Sequence, residues 1–501
     1  MKVNRILGAL AGALMVSGIA ASVAAEQYQF RQQLKGLTPP SISEPTEPSE
    51  PDAPIELSTA TLPDAKRGLS YSFEFADLLT PAGTSDVTWA ISSRPAWGEL
   101  NAETGAFAGI PSASDVGTKN FTVIATRGSQ KSQKAYTIVV AGEALEVVDI
   151  SAGAYHTCAV TPAGAAKCWG ANESGQLGDN TTTDRLIPTQ VVGLTSGVAS
   201  ISAGSNHTCV LTTSGGVRCW GANAFGQIGN NQTSNRLTPN TVTGLSSGAK
   251  AVSAGHEHTC AINSAGSALC WGRGSYGQLG SGSTAQQLTP TQVSGLTSGV
   301  AEISAAFAHT CARTTAGAVK CWGNNANFQL GDRSNKSSNI PVQVYTLNSG
   351  VKRIATGMHT SCAILSTGAA KCWGYGVNGQ IGDGATANRS GPSQVAGLTS
   401  GVTEIDLGTH HACALQSNGT MHCWGNNGGK LGTGNGTSSN YPVPVLDLPA
   451  GTTKISAGQT VTCAISGLGA AWCWGSGIKG QLGIGANGVR YKPTEVQSAM
   501  Y

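Results

Sequence analysis

Charge and aromatic side chains are scarce in this sequence. Asp, Glu, Lys and Arg make up 11% of the 501 residues, and Phe, Trp and Tyr make up 6%. About a quarter of an average globular protein is charged. The formal net charge of +3 is scattered, and after the first residues no run of Lys or Arg occurs that would neutralise a phosphate backbone. These absences argue against a nucleic-acid partner.

Long hydrophobic runs are also missing after the N-terminus. Lys2 and Arg5, an apolar stretch over 6–21 and small residues over 23–25 predict a secretory signal peptide over 1–25. The alternative, an uncleaved membrane anchor, is disfavoured because the stretch is short and rich in Gly and Ala. No later segment is long and apolar enough to span a bilayer. We therefore expect a secreted or periplasmic protein with no membrane span.

Glycine, in contrast, is abundant: its 68 residues suit many short strands joined by tight turns. A Pro-, Ser- and Glu-rich linker is predicted over 26–54, because this composition cannot bury a core. Over 55–142, short alternating apolar runs such as 121–125 and 136–140 predict a small β-sandwich.

The sequence of this sandwich also resembles a known type of module. Pro95-Ala96-Trp97 and the segment 104–111 resemble the immunoglobulin-like or cadherin-like modules of bacterial surface proteins. The resemblance implies a spacer or a weak adhesion unit and adds no chemistry.

The remainder, 143–501, is an internal repeat. Its cysteines form pairs ten residues apart that advance by 51 positions, and by 50 in the last step, and Trp-Gly follows each second cysteine. The first copy contains four predicted strands, at 147–152, 156–160, 166–169 and 187–192. Seven such copies predict an all-β chain whose main domain is a seven-bladed β-propeller. We expect residues 494–497 to pair beside the first of these strands, although the sequence leaves the closing strand open.

The repeats resemble those of the regulator of chromosome condensation family. The segments that carry the resemblance are Ser202-Ala203-Gly204, 207–211, Cys219-Trp220-Gly221 and Gly226-Gln227-Ile228-Gly229. The resemblance implies a seven-bladed propeller but no single function, because the family includes an exchange factor for a small nuclear GTPase and a secreted bacterial β-lactamase inhibitor. Predicted export argues against a GTPase partner, which would be cytosolic.

The paired cysteines predict one disulfide in every blade. The two cysteines of each pair flank a short turn and face each other across an antiparallel hairpin. Export favours their oxidation. A zinc site at His156, Cys158 and Cys168 is the alternative, which is disfavoured because Thr360 and Val461 replace the histidine in two copies. The predicted pairs are Cys158–Cys168, Cys209–Cys219, Cys260–Cys270, Cys311–Cys321, Cys362–Cys372, Cys413–Cys423 and Cys463–Cys473.

Repeated polar and aromatic residues are interpreted as blade packing. We expect each recurrent histidine to hydrogen-bond within its own blade, and the Trp of each Trp-Gly to contribute to blade packing and not to a sugar-binding platform. The sequence contains no paired-carboxylate site, serine elbow or calcium loop, so we expect no catalytic, cofactor or metal site. The recurrent histidines are His156, His207, His258, His309 and His411.

Partner binding is expected where the copies differ. Strand parity places the loop after Ala-Gly and the loop after Trp-Gly on one face of the ring. Exposed aromatic, Met and His side chains there have the composition of an interface core. The candidate partner-binding residues are Tyr155, Asn206, Phe225, His256, Glu257, Tyr276, Phe307, Met358, His410, Ile478 and Lys479.

These observations predict a monomeric, exported, non-enzymatic scaffold that binds a protein, or a glycan, through this face. One alternative is an inhibitor of a secreted enzyme. Another, implied by the family resemblance and disfavoured by the signal peptide, is guanine-nucleotide exchange.

Overall fold

A computed structural model describes residues 54–66, 70–82, 86–112, 115, 117–141, 144–449 and 451–498. The predicted signal peptide and the linker up to residue 53 lie outside these residues. Apart from Pro54, the described residues belong to one compact unit, Ile55–Tyr501. None of the described helices has the length and hydropathy that crossing a bilayer requires.

The N-terminal part of this unit is a small β-sandwich, as predicted. Its strands are β1 (Glu56–Leu57), β2 (Ala65–Lys66), β3 (Tyr71–Glu74), β4 (Leu79–Thr80), β5 (Thr88–Ser92), β6 (Gly98–Leu100), β7 (Ala106–Gly109), β8 (Gly117–Arg127) and β9 (Gln130–Ala141), with a 3-10 helix at Phe75–Leu78. A sheet with the order β2-β9-β8-β5 accompanies a sheet with the order β3-β7-β6, and β1 pairs with β4. Phe75 and Phe107 are fully buried, and Phe107 stacks on Phe121 with 5.8 Å between ring centroids. This aromatic cluster is the core of the sandwich.

Seven antiparallel sheets follow, each built from four consecutive strands, and we call them blades 1 to 7. Their strands are, in order, β10 (Asp149–Ala152), β11 (His156–Val160), β12 (Ala166–Gly170) and β13 (Arg185–Gln190); β14 (Val198–Ala203), β15 (His207–Thr212), β16 (Val217–Gly221) and β17 (Arg236–Thr241); β18 (Ala251–Ala254), β19 (His258–Ile262), β20 (Ala268–Gly272) and β21 (Gln287–Gln292); β22 (Val300–Ala305), β23 (His309–Thr314), β24 (Val319–Gly323) and β25 (Ser338–Gln343); β26 (Val351–Thr356), β27 (Thr360–Leu365), β28 (Ala370–Gly374) and β29 (Arg389–Gln394); β30 (Val402–Leu407), β31 (His411–Gln416), β32 (Met421–Gly425) and β33 (Ser439–Pro444); β34 (Lys454–Ala457), β35 (Val461–Ile465), β36 (Ala471–Ser476) and β37 (Val489–Glu495). The four strands predicted in the first copy are confirmed, with small shifts at their ends.

Every blade is cross-linked between its second and third strands. In blade 1 the strand register places Cys158 directly opposite Cys168, and the two are joined by a disulfide. All seven predicted pairs are bonded, and the described residues contain no free cysteine. In the chain-entropy model, a closed loop of this length contributes roughly 2.5–3 kcal/mol of stability. Seven disulfides also indicate that the protein matures in an oxidising environment.

The fourth strand of every blade is its outer edge, and each of these strands contains proline. Proline cannot donate a backbone hydrogen bond, so it prevents edge strands from pairing with other chains. The prolines are Pro188, Pro239, Pro290, Pro341, Pro392, Pro442, Pro444 and Pro493.

Neighbouring blades are joined by a short chain of hydrogen bonds. Between blades 1 and 2, Trp220 Nε1 donates to the Gln176 carbonyl at 2.9 Å, and the Thr208 hydroxyl donates to the same carbonyl at 2.8 Å. The tryptophans of all seven Trp-Gly pairs are fully buried and donate to the equivalent carbonyl of the preceding blade. The predicted packing role of these tryptophans is therefore confirmed.

The recurrent histidines complete this chain, but the prediction that each bonds its own blade is wrong. His156 Nε2 lies 2.9 Å from Thr208 Oγ1, in the next blade. Because Thr208 gives its proton to a carbonyl, its oxygen must accept from a protonated Nε2, which leaves Nδ1 unprotonated. The fully buried imidazole has no hydrogen-bond partner at Nδ1 among the described residues. Because most blades carry the same residues at these positions, the sequence of the repeat does not show whether a histidine bonds the threonine of its own blade or the threonine of the next.

The ring closes through residues that precede blade 1. Inside the ring, the Leu194 amide donates to the Val191 carbonyl, and the Leu194 carbonyl accepts from the Ala166 amide. Leu145 repeats this pattern across the closure: its amide donates to the Val496 carbonyl at 3.0 Å, and its carbonyl accepts from the Ala471 amide at 2.9 Å. Leu145 thus takes the place of a linker after blade 7.

The same closure corrects one expectation. Isolated bridges join Ala144 to Gln497 and Glu146 to Ala470, so the expected pairing of 494–497 beside 147–152 is wrong. The inter-blade bonds also continue across this boundary, since Trp169 Nε1 donates to the Gln481 carbonyl at 3.0 Å. The contact between the last blade and the first completes the predicted seven-bladed propeller.

The buried histidines should make stability depend on pH. Burial lowers the pKa of His207 from 6.5 to about 3, so on acidification the unfolded chain takes up a proton at this site before the folded protein does. The stability of the protein is therefore expected to fall as the pH drops from about 6.5 towards 3, with about 3 kcal/mol lost at this histidine by pH 4.5. Denaturant unfolding of His207→Val, which copies Val461 of blade 7, should show a shallower pH dependence. Asn206→Ala, a neighbour that does not titrate, should retain the wild-type slope, and an unchanged slope in His207→Val would contradict the prediction.

Ring closure should depend on the Leu145 side chain, which is 3% exposed. Leu145→Ala is expected to cost about 2–4 kcal/mol in the free energy of unfolding, because it leaves a cavity between blades 7 and 1. Leu145→Met, which conserves volume, should cost less than about 1.5 kcal/mol. Hydrogen exchange of the Ala471 amide should accelerate in the alanine variant. Faster exchange in blade 4 with no change in blade 7 would refute this closure.

Candidate functional site

Two loops of every blade lie at the same end of its strands: the loop between the first and second strands, and the loop between the third and fourth. Antiparallel pairing of consecutive strands produces this arrangement, as strand parity predicts. In blade 3 the first loop contains His256 and Glu257, and the second follows Gly272 and contains Tyr276. We call the surface made by both sets of loops the loop face.

A row of ring-bearing side chains crosses the loop face from blade 3 to blade 5. The ring centroids of His256 and Phe307 lie 4.2 Å apart, and Phe307 lies 5.7 Å from His359. His359 in turn lies 6.3 Å from Tyr375. Contacts at these separations hold the rings in defined orientations. All four side chains are half-buried, so each keeps part of its surface open to solvent.

Arg273 extends this row towards blade 2. Its guanidinium carbon lies 4.9 Å from the Phe225 ring centroid and 5.5 Å from that of Tyr276, which are cation–π separations. Arg273 Nη1 donates to Glu257 Oε2 at 2.5 Å, and the same oxygen lies 3.5 Å from His256 Nδ1. We call the whole set the aromatic stripe; it consists of Phe225, Arg273, Tyr276, Glu257, His256, Phe307, His359 and Tyr375.

The aromatic stripe has no net charge near neutral pH. Burial lowers the pKa of His256 and of His359 below 6.5, so both imidazoles are neutral at pH 7. At His256 the Glu257 carboxylate opposes this lowering and Arg273 adds to it. The positive charge of Arg273 is matched by Glu257 at 2.5 Å. The stripe therefore presents aromatic surface with few, fixed polar groups, which is the composition of an interface core.

The structure divides the candidate residues into separate places. A groove of about 310 Å³ is lined by Tyr155, Asn206, Ile478 and Lys479, and Lys479 Nζ there donates to Glu173 Oε1 at 2.7 Å. Phe225, His256, Glu257, Tyr276 and Phe307 lie together in the aromatic stripe.

Two further candidates lie outside both places. Met358 lines a cavity at the centre of the ring. His410 is half-buried, and burial lowers its pKa, with a further contribution from the charge of Lys430.

Three members of the stripe escaped the sequence reasoning as candidate residues: Arg273, His359 and Tyr375. The signal for two of them was present, because Arg273 and Tyr375 stand directly after Trp-Gly, where blades 1 and 2 have Ala171 and Ala222. His359 lies in the loop between the first and second strands of blade 5, and its contact with Phe307 depends on the distance between blades.

Blade 4 has a hydrogen bond beside the stripe that blade 5 lacks. In blade 4, Gln329 Nε2 donates to Asn324 Oδ1 at 2.9 Å. Blade 5 has Tyr375 at the position of this asparagine, and the Nε2 of the buried Gln380 has no hydrogen-bond partner among the described residues. Blades 1 and 2 have Ala171 and Ala222 at this position, so the bond to asparagine is not a feature of every blade.

Metal chemistry finds no support at the repeated motif. Cys158 and Cys168 are joined to each other, so the zinc alternative is wrong. Within the described ranges, no group of three or more His, Cys, Asp or Glu is placed to hold a metal ion.

Comparison with family models covers nearly all of the described chain. The "RCC1-like domain" model matches residues 247–501, and two "Regulator of chromosome condensation (RCC1) repeat" models match 147–176 with 198–227, and 167–211 with 214–262. An Ig domain model matches residues 53–141.

Curated relatives share the repeats with this chain. It is 31% identical over 261 residues to the ultraviolet-B receptor UVR8 of Arabidopsis thaliana, a match that covers 51% of this chain and 59% of the receptor. It is 29% identical over 338 residues to the human E3 ubiquitin-protein ligase HERC2, covering 64% of this chain and 7% of the ligase. The chain therefore spans less than two thirds of the length of each of these relatives.

Among solved structures, yeast RCC1 (Prp20) bound to Kap60 superimposes with a TM-score of 0.58. The two chains are 21% identical, and the match covers 71% of this chain and 85% of the yeast chain. This similarity establishes the fold alone.

The charges around His256 give a test of the geometry of the stripe. Glu257→Gln should lower the pKa of His256 further, because it removes the neighbouring negative charge, whereas Arg273→Met should raise that pKa towards 6.5. NMR titration of the His256 ring would measure both shifts, with His422 as an internal reference outside the stripe. Shifts of the same sign in the two variants would contradict the arrangement.

Proposed function

The chain belongs to the RCC1-like family, and from that premise we propose that it is an exported, non-enzymatic scaffold that binds a protein partner through the aromatic stripe of its loop face. The observation that carries this proposal is the stripe itself. A chain with only 6% aromatic residues holds four ring-bearing side chains and an arginine–tyrosine–phenylalanine cluster in one connected row.

The chemistry of the stripe suits protein recognition. Tyr and Arg are among the residue types that dominate binding energy at protein interfaces, especially when they are pre-positioned and partly desolvated, and Phe is enriched at interface cores. The ion pair with Glu257 and the rings of Phe225 and Tyr276 restrict the Arg273 side chain before a partner arrives. Less conformational entropy is then lost on binding.

The seven disulfides support export, because disulfides persist in oxidising compartments and are rare in the cytosol. A partner outside the cytosol is then expected, which disfavours exchange activity on a cytosolic GTPase. In the solved structure that resembles this chain, yeast RCC1 (Prp20) is bound to Kap60. That partner is not carried over to this chain.

Partner capture with matched variants tests the proposal. The mature chain, immobilised and exposed to the cell-envelope and secreted fractions of its source, should retain a partner, and Phe307→Ala and Tyr276→Ala should each weaken that binding about 30-fold or more. Tyr441→Ala is the matched control, because Tyr441 is 53% exposed on the outer strand of blade 6. Equal loss in Tyr441→Ala and Phe307→Ala, with all variants folded, would exclude the stripe as the interface.

The same preparation separates inhibition from scaffolding. If the retained partner is a hydrolase, its activity is measured with and without saturating protein. Loss of activity that Phe307→Ala abolishes would assign inhibition of a secreted enzyme, and unchanged activity would assign a scaffold.

A further inference from the structure

A cavity of about 280 Å³ lies at the centre of the ring, where the first strands of the seven blades converge. Its lining repeats from blade to blade, and in blade 1 it consists of Ser151, Ala152, Gly153 and Ala154. At about 3.3 Å per residue these four layers span about 10 Å. The cavity is near the lower limit of ligand pockets, about 300 Å³, so it suits a small molecule or one side chain.

The serine layer of this cavity is interrupted in two neighbouring blades. Ser151 Oγ accepts from the Ala203 amide of the next blade at 2.9 Å, and similar bonds recur around the ring. Blade 5 has Ala355 at this position and blade 6 has Asp406. The serines of the layer are Ser151, Ser202, Ser253, Ser304 and Ser456.

Asp406 compensates for the missing hydroxyl. Its Oδ2 accepts from the Ala457 amide of blade 7 at 2.8 Å, as a serine would. Its Oδ1 accepts from the Leu407 amide at 2.9 Å, which has no hydroxyl to bond because the preceding blade has Ala355. A carboxylate offers an acceptor oxygen to each of these two amides, whereas the NH2 group of an asparagine would face one of them as a second donor.

That charge lacks an ionic partner. The first strands carry four acidic residues, and three of them form ion pairs: Glu302 with Arg313 at 3.0 Å, Glu404 with Arg353 at 2.9 Å, and Asp149 with Lys454. Asp406 forms no ion pair among the described residues.

The surroundings of Asp406 compensate its charge only in part. Burial raises the pKa of Asp406 to about 6; the amides of Ala457 and Leu407 oppose this rise, Glu404 adds to it, and Lys454 opposes it. The carboxyl is thus ionised at pH 7.5, and a cation in the cavity would stabilise this half-buried charge.

We propose that this cavity binds a primary alkylammonium group, with its nitrogen at the Asp406 carboxylate and its carbon chain along the alanine layer. An ammonium has three donors, which match one carboxylate and neighbouring serine hydroxyls. Ala152, Ala203 and Ala254 line the neighbouring level, and Phe307 and Met358 also line the cavity. A single carboxylate is a poor site for a divalent metal, which requires several charged ligands.

The inference goes beyond the proposed function, because the cavity can take a free amine as well as the lysine side chain of a bound protein. Its failure would be distinct from failure of the proposed function. Phe307→Ala and Tyr276→Ala test capture through the stripe, whereas substitution of Asp406 leaves the stripe intact.

Calorimetric titration of the mature chain with n-butylammonium chloride at pH 7.5 tests the site. Binding is expected, and Asp406→Ser, which restores the residue of five other blades, should weaken it at least about tenfold. Asp406→Asn keeps the side-chain shape and should give the same loss if the serine variant folds poorly. Glu173→Gln removes an exposed carboxylate from the loop face and should leave the affinity within about twofold.

Three probes give outcomes that overturn the proposal. These are binding of n-butanol as tight as that of n-butylammonium, displacement of n-butylammonium by sodium or calcium at equal ionic strength, and full binding in Asp406→Asn. Absence of any n-butylammonium binding in the folded wild-type protein would overturn it as well, unless the peptide described next binds.

A lysine peptide distinguishes the two sources of the ammonium. If a partner's lysine is the occupant, an Ac-Gly-Gly-Lys-Gly-Gly amide should bind and its norleucine analogue should not. If a free amine is the occupant, n-butylammonium should bind and the peptide should not. Failure of both probes refutes the site.

Discussion

The structure depends on one interaction that is repeated around the ring: a buried tryptophan of each blade donates to a backbone carbonyl of the blade before it. In most blades a threonine or serine hydroxyl donates to the same carbonyl, and a buried histidine of the preceding blade donates to that hydroxyl. These bonds are shielded from water, so breaking one leaves buried polar atoms without partners. They fix the spacing and rotation between blades. The distances across the loop face, including the 4.2 Å between His256 and Phe307, follow from that spacing.

One boundary, between blades 5 and 6, keeps the tryptophan bond but lacks both the hydroxyl bond and the histidine bond. Thr360 stands where five blades use histidine and blade 7 has Val461, and Ala412 stands where the other blades use threonine or serine. Ala355 removes the serine bond of the central layer at the same boundary. The Arg353–Glu404 ion pair, at 2.9 Å, crosses this boundary instead, and Asp406 completes the central layer. Tyr375, the last ring of the aromatic stripe, belongs to blade 5. Asp406 and Tyr375 therefore stand where the repeat is least regular, and identical blades would offer a partner no distinguishing feature.

The sequence predicted the parts of this protein that depend on local pattern. Strand positions, the pairing of each Cys with its partner ten residues on, and the shared face of the two loops all follow from one copy of the repeat. Contacts between copies did not follow. The sequence of a repeat does not show whether His156 bonds the threonine of its own blade or Thr208 of the next blade. It also does not show which residue replaces the linker after blade 7. Leu145 could have been found by aligning it with Leu194, but only once the closure was known. The candidate residues were scattered for the same reason: their grouping depends on the order of blades around the ring.

The position of the disulfides separates two kinds of stability. Each bridge joins the second and third strands of one blade, so none of the seven crosses a boundary between blades. Oxidation therefore stabilises each hairpin, whereas the contacts between blades are hydrogen bonds, ion pairs and side-chain packing. At the closure between blades 7 and 1 no continuous backbone assists them, so Leu145 and the Trp169–Gln481 bond hold the ring there. Separation of blades 7 and 1 would leave all seven disulfide-linked hairpins intact. It would destroy the central cavity, which is formed by the first strands of all seven blades. The aromatic stripe lies on blades 2 to 5, away from that boundary, and its contacts do not depend on the closure directly.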